Sequence, residues 1–156
     1  MKILVDADSC PRQAREIALR ASQRLEVQAV FAANRKMPGI SGKNVIMEIC
    51  PATANAADDR LVQLAEKGDL AVSRDLAFAK RILEKGGSVI DDRGRVFTLD
   101  NINELLSVRD FTVGLAENGY GIQRSANYGK KESKAFADSL DRQLTKLLRQ
   151  NADASL

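Results

Sequence analysis

Short apolar runs alternate with segments whose apolar residues recur at helical spacing, and the alternation continues along most of the chain. Residues 2–6, KILVD, form a run that ends in turn-type residues and predict a buried strand. Ala14, Ile17, Ala18 and Ala21 then follow a helical period to about Leu25. Ser9 is the expected cap of that helix, and Pro11 suits its first turn, where a missing N–H costs nothing. VQAVFAA (27–33) predicts a second strand, NRKMPGISGK (34–43) a loop, and NVIMEIC (44–50) a third strand. ADDRLVQLAEKG (57–68) reads as a helix that opens on acids and stops at Gly68. DLAVS (69–73) is a fourth strand, RDLAFAKRILEKGG (74–87) a second acid-first helix, and SVID (88–91) a fifth strand. A DRG turn leads into RVFT (95–98), and Thr98 caps a helical stretch from about Asp100 to Glu117. After a loop over 118–130, an amphipathic helix covers about 131–150.

Strands and helices alternating at this spacing predict an α/β fold of Rossmann-like layers. The expected architecture is a mostly parallel sheet with helices on both faces and a C-terminal amphipathic helix. Nothing marks a second domain, so residues 1–150 are expected to fold as one, with 151–156 as a short tail.

Composition narrows the chemistry. The chain has 156 residues, 29% charged and 44% hydrophobic, which is the balance of an ordinary globular protein. Its opening apolar run is too short for a signal peptide or a membrane span, so a cytoplasmic location away from membranes is expected. There is no histidine, which excludes Ser-His-Asp triads and histidine-ligated zinc. Cys10 and Cys50 form no CxxC pair and read as two reduced, packed thiols. The net charge of +3 is unevenly placed: residues 124–150 hold seven basic side chains against three acidic, whereas residues 1–123 balance. A basic end suits a polyanionic partner and is equally the pattern of a solvated helix.

In open parallel sheets, sites form outside the carboxyl ends of the strands. Asp6 and Asp8 follow the first predicted strand, Asp75 the fourth, and Asp91 and Asp92 the fifth; Asp58 and Asp59 open the helix after the third. Topology alone therefore gathers seven aspartates at one edge. Like charges this close raise one another's pKa unless a positive group offsets them. Without histidine, that group is Arg, Lys or a hard cation, and Mg²⁺ or Mn²⁺ takes oxygen ligands from a few carboxylates while keeping several waters. Most of these residues have a second explanation. Asp58, Asp59 and Asp75 suit helix N-termini, Asp91 and Asp92 suit the DRG turn, and Asp8 suits an extra cap. Asp6, at a strand end, has no such duty.

VDADSCP, AADDRLVQ, AVSRDLAFAKRI, DRGRVFT and SKAFADSLDRQL occur in that order over nearly the whole chain. Together they resemble the YaiI/YqxD family, which is similar in pattern to the PIN-like nuclease superfamily. The resemblance implies a PIN-like fold and Mg²⁺- or Mn²⁺-dependent hydrolysis of a phosphodiester, with RNA favoured. It implies Asp6, Asp58 and Asp75 as the carboxylates that hold metal, with Asp8 and Asp91 as helpers. Arg12, Arg74, Lys80 and Arg93 are then the expected substrate contacts. Arg15, Arg20, Arg24 and the basic final helix would follow a nucleic-acid backbone, although surface placement accounts for these cations equally well. PIN-like proteins often pair, so a homodimer is a further expectation. Two departures stand out: Asn55 occupies a position where the family often carries Asp, and GIQRSANYGKKE replaces a Gly-Pro-rich stretch.

Two rival readings remain. DxD after the first strand and DD after the fifth also resemble haloacid-dehalogenase-type phosphatases, with Asp6 as nucleophile, Asp8 as acid and Asp91/Asp92 as metal ligands. Against that stands the helix predicted almost directly after the DxD, which leaves no room for a flap. The other rival is a non-catalytic module that binds RNA or protein through a degenerate acidic pocket.

Overall fold

A computed structural model describes residues 1–117 and 127–154 of the chain. Its six-stranded sheet has the order β3-β2-β1-β4-β5-β6, formed by β1 (Lys2–Asp6), β2 (Gln28–Ala33), β3 (Val45–Ile49), β4 (Leu70–Val72), β5 (Ser88–Ile90) and β6 (Val96–Phe97). All neighbours run parallel except the β5–β6 pair, a hairpin. The helices are α1 (Arg12–Leu25), α2 (Ala56–Leu64), α3 (Leu76–Glu84), α4 (Leu99–Glu117) and α5 (Lys130–Ala154). The mostly parallel sheet with helices on both faces and a helical end agrees with the pattern of the sequence. The loop predicted over 118–130 falls mainly outside the described residues. Among the described residues no helix is long and apolar enough to cross a membrane.

Alternation along the strands sorts the core into two layers. Ile3 and Val5 of β1, with Phe31 and Val72, face Ala14, Ala18 and Ala21 of α1 and Phe136, Leu140 and Leu144 of α5. Leu4, Val30, Ala71 and Val89 face the other way, onto Leu61 of α2, Phe78 and Ile82 of α3, and Ile102 of α4. Between β1 and β4 the chain therefore changes from covering one face to covering the other. Such a switch point opens a crevice at the carboxyl ends of its two strands.

Several boundaries differ from the pattern for local reasons. Pro11 is the N-cap of α1, two residues beyond Ser9, and no side chain caps that helix; the Ser9 hydroxyl donates to Asp6. Helix α2 ends at Leu64 rather than Gly68: Ala65 is extended, and the Asp69 carboxylate accepts the Glu66 N–H in place of another helical turn. Thr98 does start α4, and its cap is reciprocal. Thr98 Oγ1 accepts from the Asn101 N–H at 3.2 Å, and Asn101 Oδ1 accepts from the Thr98 N–H at 2.9 Å. Helix α5 is longer than the pattern predicts, continuing past residue 150 to Ala154.

The link from β2 to β3 is unusual. Parallel neighbours are normally joined through a helix, yet residues 34–44 contain none. Met37 is buried and Ile40 half-buried against the α1 layer, so this irregular stretch does the covering that a helix would do.

Candidate active site

Register and alternation build the site. Val5 of β1 pairs with Val72 of β4, so the next residues, Asp6 and Ser73, are neighbours at the strand ends. Asp6 shares the face of Leu4, the face covered by α2 and α3, which turns it toward Asp58 and Asp75. It is only 6% exposed. Its Oδ2 accepts hydroxyl hydrogen bonds from Ser9 at 2.8 Å and Ser73 at 3.1 Å. Burial pushes its carboxyl above the ordinary range; the two serines work against that shift, and the Asp75 and Asp8 charges add to it.

Asp75 sits where β4 hands over to α3. Its Oδ1 caps that helix by accepting the Phe78 N–H at 3.0 Å, and its own N–H donates to Ser73 Oγ at 3.0 Å. Asp58, in the first turn of α2, is held beside it. Desolvation, the charges of Asp6 and Asp75, and a hydrogen bond with the Asp75 carboxyl push Asp58 up to about 7, with Arg81 opposing. Asp8 is exposed, and its Oδ2 accepts the Asn34 N–H at 2.8 Å. Asp6, Asp8 and Asp58 line one cavity of about 250 Å³, together with Ser9, Asn34 and Asn55. Asn55 takes the left-handed conformation at the N-cap of α2, with φ of 64°.

The remaining predicted residues divide. Asp91 lies outside the cluster: its Oδ1 accepts the N–H groups of Arg93 at 2.9 Å and Arg95 at 2.8 Å, closing the β5–β6 turn. It is a turn residue, which corrects its expected role as a helper at the metal. Asp59 turns away to pair with Arg81 at 2.7 Å. Arg12 pairs with Glu16 at 3.0 Å on exposed helix surface. Lys80, half-buried on α3, makes no ion pair or hydrogen bond among the described residues. The charge of Arg93 acts on Asp92 and Tyr128. Arg74 does reach the site's rim, donating to the Ser9 carbonyl at 3.1 Å and pairing with Asp92 at 3.2 Å.

Asp92 is itself 2% exposed, and neither of its carboxylate oxygens accepts a hydrogen bond among the described residues. Burial raises its pKa while Arg74 holds it down. Arg74 therefore links a buried acid to the Ser9 segment that supports Asp6. Cys10 packs nearby; burial and the Asp92 charge push its thiol up to about 12, so it stays protonated and is no nucleophile. The positions of Ser9 and Ser73 are what sequence reasoning missed. Their signal is a hydroxyl placed just after each of the two central strand ends.

Among the described residues no group of three His, Cys, Asp or Glu side chains is arranged to hold an ion directly. Asp6, Asp58 and Asp75 interact strongly with one another without forming such a set. The donor set still suits a hydrated hard cation, which needs one or two carboxylates and fills its other positions with water. Burial raises both Asp6 and Asp58, and neighbouring carboxylates add to both shifts, so positive charge brought into the cavity would be favourable.

The profile of the uncharacterised BCR, YaiI/YqxD family matches residues 4–146. The chain belongs to that family. Three relatives similar to this YaiI/YqxD chain over almost its full length are described as UPF0178 proteins. That of Treponema denticola is 43% identical over 150 residues, covering 96% of this chain and 96% of the relative. That of Treponema pallidum is 43% identical over 149 residues, 96% of this chain and 84% of the relative. That of Myxococcus xanthus is 41% identical over 151 residues, 96% of this chain and 97% of the relative. No solved structure matches this YaiI/YqxD protein.

The raised Asp58 carboxyl has a stability consequence. A carboxyl that binds its proton more tightly in the folded chain favours folding below its unfolded pKa, and that contribution is lost as pH rises through the folded value. The window here runs from the ordinary carboxylate range near ~4 up to about 7. In EDTA at pH 8, Asp58→Asn is expected to be more stable than the parent by about 1–2 kcal/mol, discounted for partial solvent screening. Urea melts should show the gap closing as pH falls toward 5; a gap independent of pH would refute the assignment.

Proposed function

We propose that this protein is a metal-dependent phosphodiesterase acting on nucleic acid, with RNA favoured, in the manner of PIN-like nucleases. The observation that carries the reading is the convergence of Asp6, Asp58 and Asp75 at the switch point of a parallel sheet, where burial raises Asp6 and Asp58 and the charge of Asp75 adds to both shifts. Carboxylates gathered this way oppose folding, and a doubly charged cation relieves them. Asp6 and Asp58 would hold Mg²⁺ or Mn²⁺ through few direct bonds, with Asp75 holding its waters. Bound there, the ion would supply Lewis acidity, acidifying a water and offsetting charge at the scissile phosphate. Asp8, lining the same cavity and steadied by the Asn34 N–H, is positioned to take a proton from the attacking water. Ser9 and Ser73 fix the Asp6 carboxylate in one orientation, and Asp75 is fixed by its duty as a helix cap.

The covalent phosphatase reading fits less well. Helix α1 begins at Arg12, only a few residues beyond Asp8, and Asp91 and Asp92 are engaged by the turn and by Arg74. The deciding experiment combines Mn²⁺ calorimetry with cleavage of an end-labelled single-stranded RNA. Binding in the millimolar range or tighter, with cleavage and no phosphoenzyme, is expected. Absence of both metal binding and cleavage would sink the reading and leave a binding module. A fluoride-trapped phosphoryl group on Asp6 would replace it with the phosphatase.

A further inference from the structure

The carboxylate cavity is acidic, so a polyanion approaching it needs cations at the rim. The cations expected from the sequence are largely engaged. Arg12 pairs with Glu16, and Arg24 pairs with Asp141 of α5 at 3.2 Å. Arg142, Lys146 and Arg149 lie far along α5. That helix meets Gly94 near the carboxyl edge through Ser139 Oγ at 2.7 Å, then descends to the start of β4, where Gly68 meets Asn151. Those three side chains are therefore directed toward the opposite edge from Asp6.

The helix-free link between β2 and β3 behaves differently. Its first residue, Asn34, lines the carboxylate cavity and is tied there by Asp8. Arg35 and Lys36 come next, within about 8 Å of that bond by chain length alone. Both are exposed, and neither makes an ion pair or hydrogen bond among the described residues. Beyond them, Pro38 and Ile40 form one wall of a separate groove of about 330 Å³. Arg12, Arg15, Glu16 and Leu19 of α1 form the other, with Glu16 neutralising Arg12. Arg15 donates to the carbonyls of Cys10 at 2.7 Å and Ala7 at 3.5 Å and makes no ion pair among the described residues. Arg15 at the groove, with Arg35 and Lys36 on the chain segment that joins it to the carboxylate cavity, gives a net positive approach over an apolar floor, which matches a nucleotide with its phosphate.

We propose that a single-stranded polynucleotide leaves the carboxylate cavity over Arg35 and Lys36 and lays its neighbouring nucleotide in the groove between α1 and the β2–β3 link. This rests on the phosphodiesterase reading and adds to it a substrate class, a polymer rather than a mononucleotide, and a path. Among the described residues no aromatic side chain lines the groove, so it offers apolar contact without base stacking and reads no sequence. Affinity comes mainly from phosphate contacts and is strongly salt-dependent.

The test measures binding of a fluorescein-labelled oligouridylate by anisotropy in EDTA across a salt series. Arg35→Ala/Lys36→Ala should weaken binding on the order of tenfold at low salt and reduce the slope of log K against log salt by about 1.4, two single-strand contacts. Arg142→Ala/Lys146→Ala serves as comparison and should bind like the parent. The path is overturned if the loop variant keeps the parental slope, if only the α5 variant loses affinity, or if the parent does not bind the oligomer. Hydrolysis of bis(p-nitrophenyl) phosphate by the parent with Mn²⁺ is measured separately. Its persistence when the binding result fails removes the path and leaves the phosphodiesterase; its absence beside a positive binding result does the reverse.

Discussion

Asp6→Asn is expected to lower Mn²⁺-dependent RNA cleavage by about 10³-fold, roughly 4 kcal/mol of transition-state stabilisation, while the chain stays folded. The amide is nearly isosteric, and its Oδ1 can still accept the hydroxyls of Ser9 and Ser73, so the local network survives. The change removes a buried charge from the side of Asp58 and Asp75, and thermal stability in EDTA should therefore hold or rise. Asp58 should also respond. Asp6 is the larger of the two charges that raise it, so its titration, followed by carboxyl NMR shifts, should move down in the variant. Asp91→Asn is the informative contrast. Its amide Oδ1 can still accept the Arg93 and Arg95 N–H groups, so the β5–β6 turn should survive and the cleavage rate stay unchanged. Cleavage that survives Asp6→Asn, or disappears with Asp91→Asn, would overturn the site as described here.

The second large effect concerns the fold. Gly94, in the β5–β6 turn, has φ of +87°, and a Cβ there would meet the Ala135 carbonyl oxygen at 2.6 Å and Ser139 Cβ at 2.9 Å. The first contact is backbone of α5, which cannot step aside as a flexible side chain can. Gly94→Ala should therefore cost about 3 kcal/mol or more, through left-handed strain and overpacking together. For a chain of this size that corresponds to about 10 °C in Tm. Gly39→Ala separates the two causes, since Gly39 has φ of +83° and open space around the added carbon. It should cost only about 1 kcal/mol, the conformational part alone. Equal costs in calorimetric melts would show that Gly94 does not seat α5.

How legible the protein is from its sequence depends on which forces decide each element. The strand 2–6 and the helices with Ala14/Ala18/Ala21 and Phe78/Ile82 are readable because burial imposes their periods directly. Helix ends are less so: α2 stops at Leu64 because Asp69, five residues on, takes the Glu66 N–H, a contact no local propensity records. In the site, Asp6, Asp58 and Asp75 share one edge by topology alone, whereas Asp91 is placed there equally well by topology and is then captured by its own turn. Ser9 has the local features of a helix cap, but α1 starts at Arg12 with Pro11 as its N-cap, and the Ser9 hydroxyl donates to the Asp6 carboxylate. Charge in a pattern likewise does not disclose its partner. Arg24 reads as free surface until Asp141, more than a hundred residues away, is brought against it.

The helix-free link between β2 and β3 also separates two kinds of constraint. Within a strand-helix-strand unit, an added residue must rotate a helix face or turn a strand over. Between Pro38 and Gly42 the chain is irregular, and closing a slightly longer loop costs little. Insertions or deletions in that stretch would reshape the rim while the aspartates stay fixed by the sheet. What the protein grips can thus be altered independently of the centre that reacts.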